Sequence, residues 1–146
     1  MEKNVEIKFK EVHRIYGKVD ITEYCVPGIF KDEGDYKFLS FKEPKAEYID
    51  GLIRDVLFNK DGAQFVRRSE NKLVYSITYF NTHDKSVGFY DMPSQPIHNS
   101  DFRVTLRDYD CSDTWVKIDF DLYVDGFFIG AYDTKIVIGE VKDGNS

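Results

Sequence analysis

The stretch Trp115 to Val124, WVKIDFDLYV, divides completely by parity. Val116, Ile118, Phe120, Leu122 and Val124 are apolar, and Trp115, Lys117, Asp119, Asp121 and Tyr123 alternate with them. Successive side chains of a strand point to opposite faces, so this rhythm buries one face and wets the other. The same period recurs in VEIKF (Val5, Ile7, Phe9), in LVYSITYF (Leu73, Tyr75, Ile77, Tyr79) and in DFRVTLRDY (Phe102, Val104, Leu106). Helical periodicity is hard to find. Turn residues punctuate the runs: Gly34, Asp61-Gly62, the ENK triplet, the Pro93–Ser100 loop and Asp125-Gly126. Asp-Gly between alternating apolar runs is a strong hairpin signal.

Nine or ten short strands at this spacing predict an all-β fold, an antiparallel barrel or sandwich. We expect a closed antiparallel meander β-barrel of about eight to ten strands. Residues 1–141 form one domain and 142–146 a frayed tail. The segment EPKAEYIDGLIRDV is the one place for a short helix or long loop. The aromatic surplus, 12 Phe and 10 Tyr against 2 Met, agrees with a pleated, half-buried surface.

The 108–126 stretch holds six aspartates. Parity puts Asp119 and Asp121 on the face away from the core, where they read as a solvated ribbon that resists edge pairing. Asp108, Asp110 and Ser112 imitate the start of a calcium loop, but the sixth position is Asp113 rather than Gly and the twelfth, Asp119, is not Glu. No metal site is expected. His13, His83 and His98 are isolated and read as surface or turn residues. Cys25, before Val-Pro-Gly, reads as a small buried apolar residue. There is no nucleophile elbow and no phosphate loop, so no catalytic residue and no cofactor is assigned. Arg67 and Arg68 point to opposite faces of a strand, so one of them enters the interior and needs an anionic or carbonyl partner. An ion pair with an acid is the commoner fate.

A formal charge of −6 with dispersed Lys and Arg argues against nucleic acid. No run approaches a membrane span, the N-terminus has no signal-peptide pattern, and two well-separated cysteines fit a reducing cytoplasm.

Six stretches, in order, resemble the YwiB-type family of bacterial proteins: YCVPGIF with Gly28, FLSFKE with Phe41 and Glu43, VRRSE with Arg68 and Ser69, FYDMP with Tyr90 and Pro93, RVTL with Thr105, and IDFDLYVDG ending at Gly126. Glu70 stands where the family turn has Gly, and Gln95 where a Gly follows the Pro. The resemblance implies a calycin-like (lipocalin-like) barrel and brings no catalytic residue.

Two functions compete. A barrel of this size has an interior that side chains fill or that holds one small ligand. Aromatic walls with a few polar groups suit the latter. The binding residues chosen are Arg68, Tyr75, Tyr79, Tyr90 and Thr105, which combine family-matching positions with polar groups on apolar strands. The alternative is an interaction module that self-associates as a homodimer through an outer apolar patch. An enzyme is the least supported reading.

Overall fold

In the computed structural model the chain is described over residues 2–44, 52–69, 72–81, 86–91 and 102–141, with the side chains of 72–81, 86–91 and 102 outside that description. Ten strands form among these residues: β1 (Glu2–Ile15), β2 (Lys18–Asp32), β3 (Lys37–Lys42), β4 (Ile53–Asn59), β5 (Gly62–Ser69), β6 (Lys72–Asn81), β7 (Ser86–Asp91), β8 (Phe102–Cys111), β9 (Trp115–Val124) and β10 (Phe127–Glu140). Each strand pairs with its neighbour in sequence, and β10 returns to β1, closing an antiparallel meander barrel. Closure leaves no strand unpaired along the whole of one side. Part of the segment expected as helix or loop is strand β4, whose alternation of Arg54, Val56 and Phe58 with Asp55 and Leu57 decides the matter. Residues 45–51 lie outside the described residues.

Turn chemistry sets the register. The β9–β10 turn has Asp125 at φ 51° and Gly126 at φ 84°, as a two-residue primed turn requires. The β1–β2 turn repeats this with Tyr16 at 45° and Gly17 at 81°, and the Tyr16 hydroxyl donates to the Phe128 carbonyl at 3.3 Å. Between β4 and β5, the Asn59 side chain accepts from the Asp61 and Gly62 amides at 2.8 and 3.1 Å. Bulges interrupt pairing at Arg67/Arg68, at Leu106/Asp108 and at Phe128/Gly130. The bulge in β8 keeps Tyr109 and Cys111 in phase with Ile118 and Val116 while Arg107 and Asp108 both remain outside.

The inward stripe of β9 is as the rhythm predicts: Val116, Ile118, Phe120 and Leu122 are buried. They join Val5, Ile7, Phe9, Phe30, Leu39, Phe41, Val56, Phe58, Phe65, Ile136 and Ile138 in one core. Cys25 departs from expectation and is exposed. Tyr24 and Val26 pack against the core, so the residue between them faces out.

The aspartates also differ from a free, wetted ribbon. The register sets Asp108, Asp119 and Asp133 directly side by side across β8, β9 and β10. Like charges so placed repel, and cations bridge them. Arg107 donates to Asp121 at 2.9 Å and Asp133 at 2.6 Å, Arg14 pairs with Asp133, and Lys117 reaches Asp108 at 3.0 Å and Asp119 at 3.4 Å. Among the described residues no group of three or more His, Cys, Asp or Glu is arranged to hold a metal ion.

The row titrates with opposite signs. Burial pushes the Asp119 carboxyl above the ordinary range and the Asp133 charge adds to that, with Lys117 opposing. Burial also raises Asp133, but hydrogen bonds from Arg14 and Arg107 outweigh it and hold that group below the ordinary range. Asp133 therefore stabilises the fold above the usual carboxylate pKa, and that support is lost as pH falls through its depressed value. Ionised Asp119 destabilises it, and the cost disappears as pH falls through its raised value. Asp119→Asn should raise stability at pH 7 by up to about 1 kcal/mol, the scale of one cross-strand charge pair. Urea melts at pH 7 and pH 3 check this, since the gain must vanish at the acid value.

Candidate functional site

The barrel interior is divided along its axis. One end carries the turns at 33–36, 60–61 and 112–114. The other carries Tyr16–Gly17, Glu43, Leu52 and Asp125–Gly126. Followed from the first end to the second, the inward stripes change character. In β1 they run Val5, Ile7, Phe9, then Glu11 and His13. Beyond β3 they run Leu39, Phe41, then Glu43. In β5 they run Ala63, Phe65, then Arg67. Read in the same direction, β4 gives Phe58, Val56, then Arg54, and β10 gives Ile138, Ile136, then Thr134 and Tyr132. Antiparallel register brings these switches to a common height, so one half of the interior is hydrocarbon and the other sets Glu43 and the polar and charged groups of β1, β4, β5 and β10 against a β9 that stays apolar through Leu122.

In the charged half, Glu43 stands between two arginines. Its Oε1 accepts from Arg54 Nε, and its Oε2 accepts from Arg67 Nε at 3.1 Å and Nη2 at 2.9 Å. The Arg54 guanidinium lies 4.7 Å from the centre of the Phe9 ring, and Tyr24 stacks on that ring at 4.7 Å. Guanidinium over an aromatic face is favourable. Across the interior, His13 stacks on Tyr132 at 4.3 Å, and Tyr132 on Phe120 at 5.1 Å, forming an aromatic column over three strands. Gly130 makes room for it, since a Cβ there would lie 2.4 Å from His13 Nε2. Glu11 accepts from the buried Thr134 hydroxyl at 2.8 Å.

Two buried polar atoms here have no hydrogen-bond partner among the described residues: the Tyr24 hydroxyl and His13 Nε2. Burial raises the Tyr24 phenol well above its usual pKa, more than the Arg54 charge lowers it. It therefore stays a protonated donor. Planar guanidinium forks, a phenol donor and a stacked aromatic wall suit recognition of a polar or planar small molecule.

Of the residues expected to bind, Arg68 lies on the outer wall, where its Nε donates to Asp55 at 2.6 Å and Asp55 also accepts from the Ser40 hydroxyl at 2.7 Å. Arg67 is the member of the pair that enters the barrel. Thr105 is exposed on the outer face opposite Asp121. The side chains of Tyr75, Tyr79 and Tyr90 lie outside the described residues; the register sets Tyr75 across from Arg67 and Tyr79 across from Ala63. His13, read as a surface residue, is half-buried in the interior, while His83 and His98 lie outside the described residues. Glu43 is marked in the sequence only as part of a family stretch, and nothing local marks Tyr24. Following each inward stripe past its last apolar residue would have found Arg54, Glu11 and His13.

No family model matches the chain, and no curated protein matches it in sequence. Among solved structures, the fold is similar to the crystal structure of the ywiB protein from Bacillus subtilis. The TM-score is 0.61 at 11% identity, over 97% of this chain and 94% of that one. This shows a barrel fold like that of YwiB; at this identity the likeness extends to the fold alone.

Proposed function

We propose that this chain is a calycin-like barrel that binds a small polar or planar molecule in its charged half, within the reducing interior of a bacterial cell. The observation that carries the reading is the pair of unpartnered buried atoms, Tyr24 Oη and His13 Nε2, beside Arg54, Glu43 and Arg67. A buried polar atom without a partner costs about 1–3 kcal/mol, and a ligand that pairs with it recovers that cost. A solid, self-satisfied interior has no reason to bear it. The free thiols Cys25 and Cys111 suit such a compartment.

Native mass spectrometry of the purified protein, followed by denaturing extraction, tests the proposal. A co-purifying small molecule at near one equivalent is the expected result. A protein that emerges empty and whose melting is unmoved by a panel of polar and planar metabolite-like compounds sinks it. Tyr24→Phe sharpens the test. It removes an atom with no partner, so the unliganded protein should lose no stability. Affinity for the extracted ligand should fall about tenfold, the worth of one hydrogen bond.

A further inference from the structure

The β1–β2 hairpin leaves one edge of the barrel wall open. β2 pairs with β1 from Lys18 to Lys31, but with β3 only from Gly28 to Asp32. Among the described residues, 18–27 have no strand on their second side. Residues 18–23 are all exposed. Val19 and Ile21 stand out from the outer face at 56% and 60% exposure. An unpaired edge exposes a row of backbone donors and acceptors that another strand can use. Natural edges are blunted by Pro and by charged side chains; here Pro27 and Lys18 sit at the two limits of the stretch, and Asp20 and Glu23 are the charges between them.

We propose that this edge pairs antiparallel with the same edge of a second copy, joining two barrels through one continuous sheet. A two-fold axis normal to a sheet pairs residues of like parity and so passes beside a single residue. Two centres use the whole edge. Centring on Glu23 sets the two Glu23 carboxylates opposite each other and puts Pro27, which has no N–H, into the ladder. Centring on Thr22 sets Thr22 on Thr22, a favourable cross-strand pair. It also places Val19 against Cys25 of the other copy, and Ile21 against Glu23. Residues 18–26 then pair throughout, Val19 packs on Cys25, and the two Ile21 side chains are diagonal neighbours on the outer face. The second register is the one the residues support.

The register makes the test specific. Sedimentation velocity of the full chain should show a reversible monomer–dimer equilibrium. Ile21→Glu places a carboxylate opposite Glu23 twice per dimer and should weaken association at least about tenfold. Ile21 is solvent-exposed in the monomer, so the fold survives the change. Adding Glu23→Lys to that variant turns both contacts attractive and should restore association. Independently, Val19→Cys should form a disulfide with Cys25 of the second copy under mild oxidation and run as a covalent dimer. A wild-type chain that stays monomeric at millimolar concentration overturns the proposal. So does a dimer indifferent to Ile21→Glu, one that Glu23→Lys fails to rescue, or a Val19→Cys protein that does not cross-link.

Discussion

Glu43→Gln should lower the unfolding free energy by roughly 3 kcal/mol, a drop in Tm of about 6–12 °C for a chain of this length. Glu43 is the carboxylate that Arg54 and Arg67 share, and its side chain is only 10% exposed. Glutamine keeps the shape but removes the charge, so two guanidiniums then face each other inside the barrel with that compensation gone. Arg67 is 30% exposed, and solvent screens part of its charge, which puts the cost at the lower end for breaking a buried pair. Urea denaturation with an unchanged m-value is the measurement; a loss below 1 kcal/mol would mean that the pair is solvated and holds little together. The combined variant Glu43→Leu with Arg54→Met and Arg67→Met separates support from recognition. Buried ionic triads replaced by hydrocarbon of similar volume often lose no stability. If that variant is as stable as the wild type but no longer takes up ligand, the triad serves binding. If ligand uptake persists, the charged half is a brace.

Much of the barrel was legible because a strand's period is two and a wetted face must alternate with a buried one. The stripe Val116–Leu122 needed nothing else, and Asp125-Gly126 named its own turn. Local rhythm does not say how neighbouring strands are shifted, and the site depends on that shift. Glu43 and Arg67 are 24 residues apart and meet only because β3, β4 and β5 meander in one register. Choosing between Arg67 and Arg68 needed the phase of β5, which Ala63 and Phe65 fix only once they are known to face inward. His13 reads as a surface residue because the stripe of Val5, Ile7 and Phe9 gives way to charge, whereas the barrel wall continues inward with polar residues. Tyr16-Gly17 carries a weak turn signal, since tyrosine seldom adopts a positive φ. Strand β2 consequently went without a marked start, and its free edge could not be seen.

Phe9→Ala is expected to cost roughly 3–5 kcal/mol, the range for truncating a buried phenylalanine. Phe9 is 1% exposed and sits at the height where hydrocarbon gives way to charge. It touches both halves: Phe41 is tilted against it at 6.2 Å, Tyr24 is stacked at 4.7 Å, and the Arg54 guanidinium lies over it at 4.7 Å. Alanine leaves a void that the closed wall resists collapsing, because β1 itself is held in a ladder on both sides. It also takes away the face that Arg54 covers, about 0.5–2 kcal/mol depending on how dry the contact is. Phe9→Leu refills most of the volume but not the ring face, so its smaller loss measures the aromatic contribution. The two variants should differ in where the damage appears. Hydrogen exchange in Phe9→Ala should quicken across β1, β2 and β4 together, since one side chain joins them. If Phe9→Ala costs no more than Phe9→Leu, the boundary is already hydrated, and the hydrocarbon half does not insulate the charged half from the rest of the core.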